Sequence, residues 1–414
     1  MHAPGTTPSN GRVKPATITL SESQLACLVN SVRSSKSVDG LTHKYYRYPA
    51  RFSPAFAGTA IRLFSEPGDI ILDPFMGGGT TLVEAMAAGR NSIGCDLSTL
   101  ACFIVRAKTA LLGSEDCKSV ADWASTLGDK ITLRNLPIRE AKWLEGAYQR
   151  NISDRSTWRI RKTIELMLAQ LNSLKSEGQR VVTRCAILRT GQWALDNQRT
   201  VPKAGEFRDK FHELLLEMLS SATDLFNSVQ AAGHHVPWAL PLHTSAAELD
   251  TVRALPRLPA PRLIVTSPPY PGVHILYHRW QIRGRRETAA PFWIANCLDG
   301  MPSSYYTFGD RHQKSLDSYY ENLLRTFTSI TRVGDRRTMF IQLVAFSDPA
   351  WQLPRYLEVM KAAGLQEVFL PLRHDSDDGR LWRVVPNRKW YAAQRDDAAS
   401  CYEVVLLHTM ASKS

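Results

Sequence analysis

The chain has 414 residues, 44% of them hydrophobic, and a formal net charge of +12. That length and composition predict a globular protein with one large domain carrying an insertion, or with two domains. The positive charge favours a polyanionic partner, with nucleic acid first. The seven cysteines form no C-x-x-C pair, and no apolar run is long enough to cross a membrane. We therefore expect a soluble, cytoplasmic protein without a zinc site, a disulfide framework or a membrane anchor.

The N-terminal part begins with residues 1–19, whose Pro, Gly, Ser and Thr content predicts a disordered tail. Ser21, followed by apolar residues at helical spacing, predicts a short capped helix. The stretch 43–54 then combines four aromatic residues, three Lys or Arg residues and two prolines. Such a loop packs its rings on the core, contacts a ligand, or does both. A helix is predicted over Ala55–Phe64.

A βαβ unit is predicted between residues 69 and 96. Its first strand ends at Asp73, the glycines 77–79 turn into a helix, and the second strand ends at Asp96. Consecutive glycines let the backbone approach a ligand at a helix N-terminus, and the later acid is typical of ribose binding. The turn lacks the lysine of a phosphate-binding loop and the G-x-G-x-x-G spacing of a nicotinamide site. The acid ahead of the turn suits a cationic ligand such as S-adenosylmethionine; a tight turn without a ligand is the alternative.

From about Leu111 to Gly233 the pattern is helical, with apolar residues recurring at spacings of three and four. Residues 131–210 hold 16 Lys and Arg against 8 Asp and Glu, and so carry most of the basic excess. These basic side chains line a phosphate-contacting face or form a solvated helical surface. The seven candidates for this face are Arg155, Arg159, Arg161, Lys162, Arg180, Arg184 and Arg189.

A second motif follows the strand pattern that resumes at 236–243. Leu263–Thr266 reads as a buried strand that stops at two prolines. The stiff segment behind it carries Ser267 and Tyr270 at the carboxyl end of a strand, where open α/β sheets bind ligands. A hydroxyl, backbone carbonyls and an aromatic face are suited to holding a flat ring with an amino group. A proline-rich turn that only closes a strand is the alternative.

The stretch 277–286 interleaves basic and aromatic residues, which suits contact with a nucleic-acid backbone and an opened base stack, or a solvated basic loop. The remaining pattern predicts helices at 319–330 and 351–363, and strands at 338–344, 366–372 and 402–408. The last two strands, joined by the polar stretch 373–397, are predicted to be antiparallel.

The motifs Asp-Pro-Phe-x-Gly-x-Gly-Thr and Thr-Ser-Pro-Pro-Tyr resemble those of the DNA amino-methyltransferases, specifically the N4-cytosine branch. The resemblance covers about residues 43–110 and 236–408. It implies an α/β, Rossmann-like class I methyltransferase domain with a mostly parallel seven-stranded sheet and an antiparallel last strand. We assign this domain to residues 20–110 and 236–414. Residues 111–235 are then a helical insertion and a possible target-recognition region.

The resemblance implies an enzyme that transfers the methyl group of S-adenosylmethionine to the N4 amine of cytosine in double-stranded DNA. Transfer is direct and in line, on a flipped base. Ser267 stands where adenine-N6 enzymes usually carry Asp or Asn, which favours cytosine. The absence of a Pro-Cys dipeptide argues against methylation of a ring carbon. The family also implies a restriction-modification role with a possible cognate endonuclease.

The site residues that the resemblance implies fall into three groups. In the catalytic segment, Ser267 and the Pro268 carbonyl accept the N4 hydrogens, Pro269 stiffens the chain and Tyr270 stacks on the base. In the cofactor site, Asp73 faces the methionine ammonium, Asp96 the ribose and Ser245 the adenine, where an acid is more usual. The other cofactor residues are Tyr46, Phe52, Pro74, Phe75, Gly77, Gly79, Thr80, Thr81 and Thr266. The DNA contacts are His278, Arg279, Trp280, Arg283, Arg285 and Arg286.

Two alternatives remain at this stage. The first is an enzyme of the same fold that acts on adenine N6 in DNA or on a base in RNA. The second is a DNA-binding module whose methyltransferase fold is inactive, although the intact motifs speak against decay.

Overall fold

The computed structural model describes residues 17–34, 38–48, 53–134, 143, 148–233, 235–271, 279–284, 286–298, 308, 316–372, 378–385 and 401–411. The helices are α1 (Glu22–Arg33), α2 (Pro54–Phe64), α3 (Thr80–Ala87), α4 (Thr99–Lys108), α5 (Ser114–Ser125), α6 (Leu127–Lys130), α7 (Trp158–Gln170), α8 (Glu177–Leu195), α9 (Ala204–Ala231), α10 (Ala290–Ala295), α11 (Asp317–Val333) and α12 (Pro349–Ala362). The strands are β1 (Ile70–Asp73), β2 (Asn91–Asp96), β3 (Ala239–His243), β4 (Leu263–Thr266), β5 (Trp280–Ile282), β6 (Arg286–Thr288), β7 (Met339–Phe346), β8 (Leu365–Val368), β9 (Leu381–Val385) and β10 (Cys401–Met410).

The main sheet has the strand order β3-β2-β1-β4-β7-β10-β8. The pairs β3–β2, β2–β1, β1–β4 and β4–β7 are parallel, whereas β10 runs antiparallel to both β7 and β8. The chain builds outward in one direction from β1 and in the other from β4, so the topological switch point lies between these two strands. The predicted Rossmann-like sheet with an antiparallel last strand is confirmed.

One strand was not expected from the sequence. β9 lies within the stretch predicted to be a connection, and it pairs with residues 401–405 of β10. The reason is length: β10 has ten residues, and β8 pairs only with residues 407–410. An unpaired strand edge exposes backbone hydrogen-bonding groups, so β9 covers the other half of β10.

Helices cover both faces of the sheet. Alternate residues Ile71, Val265 and Ile341 pack with α1 and α2 on one face. Their neighbours in sequence, such as Leu72 and Ile264, pack with α11 and α12 on the other face. Burial on both faces explains why the strands read as continuous apolar runs instead of alternating patterns.

The N-terminal region agrees largely with expectation. Ser21 caps α1 through a reciprocal capping box with Gln24. Residues 17–19 of the predicted tail are described, and Thr17 forms a bridge with Phe369. Residues 17–19 are therefore packed next to the end of β8.

The predicted helical insertion contains α5 to α9, and these helices share one hydrophobic core with α4 and residues 45–48. The last turns of α9 also pack on α3, where Leu225 and Val229 meet Val83 and Met86. The insertion is therefore packed directly on the elements that form the glycine turn. In the described part of the chain, no helix combines the length and the apolar character needed to cross a membrane.

Candidate active site

Asp73 joins the two sequence motifs at the switch point. Its Oδ1 accepts hydrogen bonds from the Phe75 amide (3.1 Å) and the Thr266 hydroxyl (2.8 Å). Its Oδ2 accepts one from the Thr81 hydroxyl (2.6 Å). Burial raises the pKa of Asp73 to about 6, although these three hydrogen bonds lower it. The carboxylate thereby ties the end of β1 to the start of α3 and to the end of β4.

The glycine turn has a backbone that glycine favours. Gly77 (φ +45°) and Gly79 (φ +76°) adopt left-handed conformations, and Gly79 is the N-cap of α3. Tyr48 lies against the turn, so closely that a Cβ atom on Gly78 would stand 3.1 Å from the Tyr48 Cβ. The buried Lys108 donates from Nζ to the Gly78 carbonyl at 2.7 Å. The turn is thus held by a ring and by an ammonium group.

Asp96 ends β2 next to this turn. Its Oδ2 accepts from the Gly77 amide (3.1 Å) and its Oδ1 from the Ser98 amide (2.8 Å). Burial, with a smaller contribution from the charge of Asp73, raises the pKa of Asp96 to about 6. Two carboxylates on neighbouring strands therefore flank the turn, and both are held in an environment that disfavours their charge. A cationic ligand would relieve this cost.

The other predicted cofactor residues divide between the turn and the core. Thr80 and Thr81 open α3, and Phe75 makes an edge contact with Phe308 at 5.5 Å between ring centroids. Ser245 caps a short 3-10 helix (residues 246–251) by accepting from the Ala247 amide at 3.2 Å. The Pro74 carbonyl accepts from the Cys95 thiol at 3.2 Å.

Tyr46 is placed differently from the expectation. It is buried, and its hydroxyl accepts from the Trp280 indole at 2.9 Å. Burial raises the pKa of this phenol. The aromatic residue of the stretch that touches the turn is Tyr48, two positions further on, because Tyr46 is occupied in the core of the insertion. Phe52 lies outside the described residues.

The second motif follows β4 directly. Ser267 Oγ donates to the Tyr270 hydroxyl at 3.0 Å, and that hydroxyl donates to Glu403 Oε1 at 2.9 Å. The Pro269 carbonyl accepts from the Tyr319 hydroxyl of α11 at 2.9 Å. Pro268 is buried between these contacts. The segment is therefore fixed by its prolines and by hydrogen bonds from two distant elements.

Sequence reasoning missed Glu403, Arg383, Tyr319 and Lys108. The available signal for Glu403 is an acidic residue directly before the apolar run Val-Val-Leu-Leu of the last strand, where an unpaired charge is costly. Lys108 has a weaker signal, a lysine at the end of the helix after β2. Neither pattern names the partner, because the contacts join residues far apart in the chain.

The basic stretch after the second motif forms a hairpin, not a loop. β5 and β6 pair antiparallel around a turn at Arg283 and Gly284. Gln281 fixes the hairpin to the end of α8: its amide donates to Asp196 Oδ1 (3.0 Å), and its carbonyl accepts from Asn197 (2.8 Å). Arg283 and Arg286 are exposed, and Arg279 is partly buried.

Trp280, one of the predicted DNA contacts, is buried in the structure. Its ring is only 1% exposed and packs over Gly191 of α8, where an added Cβ would stand 2.8 Å from it. A ring buried in this way is not available to a base stack, and its function in this conformation is to anchor the hairpin. His278 and Arg285 lie outside the described residues.

Most of the basic side chains predicted to form a phosphate-contacting face on the insertion are engaged inside the protein. Five of its basic side chains bind groups within the protein. Arg161 pairs with the buried Glu165, Lys162 donates to the Leu133 carbonyl, Arg180 to the Leu174 carbonyl, Arg184 to the Ile294 carbonyl and Arg189 to Gln192. Arg155 and Arg159 are exposed. A pattern of basic residues in the sequence does not distinguish side chains that bind groups within the protein from side chains that are exposed to a ligand.

In the described ranges, no group of His, Cys, Asp and Glu side chains is arranged to hold a metal ion.

Comparisons with known proteins find similarity in one segment of the chain. Residues 26–105 match the N6_N4_Mtase family model, described as DNA methylase. The chain is similar to the type II methyltransferases M.MjaII of Methanocaldococcus jannaschii, 44% identical over 66 residues, and M.MvaI of Kocuria varians, 42% identical over 72 residues. The matched segments are 16% and 17% of this chain and only 12% and 16% of those relatives. Among solved structures, the rRNA methyltransferase aviRa from Streptomyces viridochromogenes is 10% identical, with a TM-score of 0.34 and coverage of 94% of both chains.

The strand order and the site at its switch point define a Rossmann-like methyltransferase fold. The segment that carries the glycine turn is similar to the DNA methylase family, and the match does not separate the N4 and N6 branches. The methyl donor of that family is S-adenosylmethionine.

The residues present fit that cofactor. S-adenosylmethionine carries a sulfonium, an ammonium and ribose hydroxyls and has no phosphate. The site offers two buried or partly buried carboxylates and a glycine turn, and its lysine is already bound to the Gly78 carbonyl. Such a donor set suits a cation with hydroxyl groups and does not suit a phosphate.

Proposed function

We propose that this protein is a DNA methyltransferase that modifies the exocyclic N4 amine of cytosine in double-stranded DNA. The observation that carries the proposal is the 2.8 Å hydrogen bond between Thr266 and Asp73. It joins the residue before Ser267 to the carboxylate that ends β1, which supports a single site made of the cofactor turn and the Pro-Pro-Tyr segment.

The cofactor, when bound, supplies an electrophilic methyl group. Asp96 accepts from the ribose hydroxyls, and Asp73 provides negative charge for the ammonium group. The amides at the start of α3 and the turn at Gly77 give the ligand close access to the backbone. Tyr48 covers the outer side of this turn.

The acceptor base is held by the segment after β4. Ser267 Oγ and the Pro268 carbonyl accept hydrogen bonds from the amine, and the Tyr270 ring stacks on the base. Such acceptors favour the positive charge that develops on nitrogen during transfer. Because the prolines and the Tyr319 contact fix the segment, little orientational freedom is lost when the base binds.

Cytosine is favoured over adenine by Ser267, the first residue of the segment. Adenine-N6 methylation on the same scaffold is the second candidate, since the matching family includes both branches. Selection of the DNA sequence is assigned to the 111–235 insertion together with the β5–β6 hairpin, whose exposed Arg283 and Arg286 suit phosphate contacts. A cognate restriction endonuclease is the partner that this function implies.

The test is transfer of labelled methyl groups from S-adenosylmethionine to unmethylated genomic DNA, followed by digestion to nucleosides. We expect the label in N4-methylcytosine. Ser267→Ala is expected to reduce it strongly. The matched control is Ser347→Ala, which removes a hydroxyl bound to Gln352 at the end of the neighbouring strand β7.

The nucleoside identity separates the candidates. Label on N6 of adenine would keep the chemistry and replace the base. Label on RNA alone, or no label despite cofactor binding, would refute the DNA substrate. DNA binding without cofactor binding would indicate an inactive DNA-binding module.

A further inference from the structure

Glu403 is buried behind the Pro-Pro-Tyr segment, a position that glutamate rarely occupies without a partner. Its side chain is fully shielded (0% exposed). Arg383 of β9 donates Nε–H to Glu403 Oε2 at 2.6 Å, and a second guanidinium nitrogen approaches the same oxygen. Arg383 is itself held by the Val32 carbonyl at 3.0 Å. This pairing compensates the buried charge through Oε2, while Oε1 accepts from Tyr270.

In the series Ser267–Tyr270–Glu403, each hydroxyl donates its hydrogen bond toward Glu403. A carboxylate has no hydrogen to donate, so Tyr270 is the donor in its 2.9 Å contact with Glu403. The single phenol hydrogen is then used, and the Tyr270 oxygen acts as acceptor in its 3.0 Å contact with Ser267. The hydroxyl hydrogen of Ser267 therefore points at Tyr270. Only lone pairs of Ser267 remain for a ligand.

We infer that Glu403 is a positioning residue that makes Ser267 an obligatory hydrogen-bond acceptor and thereby selects an amino group over a carbonyl at the reacting position. The inference rests on the proposed function, because it concerns the base that enters the same site. An exocyclic amine donates hydrogens to such an acceptor. A carbonyl oxygen at the same position presents lone pairs to lone pairs, and a buried polar group without a partner is costly.

The substitution that tests this is Glu403→Gln, which preserves size and removes the charge. The glutamine amide has hydrogens to donate to Tyr270, so the direction of the hydrogen bonds is free to reverse and Ser267 is no longer held as an acceptor. We expect kcat to fall roughly 10- to 100-fold, as for loss of a charge-assisted hydrogen bond. The KM for S-adenosylmethionine should stay within about twofold, since Glu403 acts through Tyr270 of the base-binding segment and Arg383 of β9.

Glu367→Gln is the matched control. Glu367 of β8 pairs with Arg380 at 2.7 Å, which is the same type of ion pair in the same sheet, without a link to Tyr270. A double-mutant cycle separates positioning from structural damage. Tyr270→Phe keeps the ring and breaks the hydrogen-bonded series, so Glu403→Gln added to it should cost no further activity. Equal losses in the control, or additive losses in the cycle, would overturn the inference.

A second measurement reads the hydrogen bond without turnover. We label the tyrosine Cζ carbon and record its NMR resonances. The resonance that disappears in Tyr270→Phe is the one of Tyr270. We expect it to shift in Glu403→Gln and not in Glu367→Gln. An unshifted resonance would overturn the inference whatever the activity. A wild-type protein that transfers no methyl group to DNA, yet shows the shift, would refute the proposed function and leave the hydrogen-bond direction established.

Once the target base is identified, an oligonucleotide in which a carbonyl oxygen replaces its amino group tests the selectivity. Wild type should bind the amino form at least about tenfold more tightly, and Glu403→Gln should bring this ratio toward one. A ratio that is unchanged in the variant would contradict the assigned role of Glu403.

Discussion

Asp73→Asn tests whether the acid at the end of β1 serves the fold or the cofactor. A structural carboxylate that accepts three hydrogen bonds would normally destabilise the protein when replaced. The raised pKa argues otherwise. A value of about 6 against an ordinary 3.8 means that the folded chain holds the charged form roughly 3 kcal/mol less well than the unfolded chain does.

The magnitude follows from two opposing terms. The roughly 3 kcal/mol is already net of the three hydrogen bonds, and replacement by asparagine relieves it. The opposing cost is the one acceptor oxygen that asparagine lacks, about 1–3 kcal/mol for the donor that loses it. The amide nitrogen is best placed toward Thr81, whose hydroxyl is able to accept, and not toward the Phe75 amide. We therefore expect the free energy of unfolding at pH 8 to change by less than about 1.5 kcal/mol. The affinity for S-adenosylmethionine should fall more than about tenfold.

The pH dependence supplies an independent readout. Because the folded pKa lies above the unfolded value, folding takes up a proton between pH 4 and 6, so the contribution of Asp73 stabilises the chain as pH falls through this window. Asp73→Asn should remove that contribution. Cofactor affinity in the wild type should weaken below about pH 6, because protonation removes the negative charge.

The assays are urea unfolding and calorimetric titration with the cofactor, with Asp69→Asn as the control. Asp69 precedes the same strand at its other end and accepts from the Glu66 amide at 2.8 Å. A variant that unfolds about 3 kcal/mol more easily and still binds the cofactor normally would refute the reasoning.

Three further predictions concern other parts of the molecule. Burial holds the pKa of His408 at about 3. The free energy of unfolding should therefore fall as pH drops from about 6.5 toward 3, by at most about 1.4 kcal/mol per pH unit. His408→Gln should flatten this slope when unfolding is measured in acid. Arg283→Ala should weaken DNA binding and lower the salt dependence of log K by about one, whereas the exposed Arg337→Ala, near the amino ends of β4 and β7, should not. Gly191→Ala should destabilise the protein by about 1–3 kcal/mol in thermal unfolding, because its Cβ would collide with Trp280; an unchanged midpoint would contradict the packing.

Local sequence patterns were sufficient for both motifs and for most strands of the sheet, although not for β9. The βαβ unit around the glycine turn is predictable because strand, turn and helix are contiguous and each depends on short-range sequence preferences. The observed bounds of α11, α12, β7 and β10 lie within a few residues of the predicted ones. The order of the strands then follows from the family resemblance and from the short connections of such folds.

Long-range contacts were beyond the reach of the same reasoning. Tyr46 and Trp280 were both expected at ligand surfaces because aromatic residues next to basic ones are typical of binding loops. They instead hydrogen-bond to each other across 234 positions of sequence. Composition does not distinguish an aromatic ring that binds a ligand from one that joins two segments of the core.

That contact gives the aromatic stretch a physical role of its own. Within residues 42–48, Tyr48 contacts the glycine turn. The Tyr46 hydroxyl accepts a hydrogen bond from the indole of Trp280 in the hairpin. Between them, the amide and carbonyl of Arg47 both bond to the Gln192 side chain of α8, at 3.2 and 3.0 Å. The stretch is therefore a short, buried connection between the glycine turn and the elements proposed to contact DNA. Since packed side chains transmit displacement instead of absorbing it, a shift of Tyr48 on cofactor binding would act on the hairpin through these same bonds.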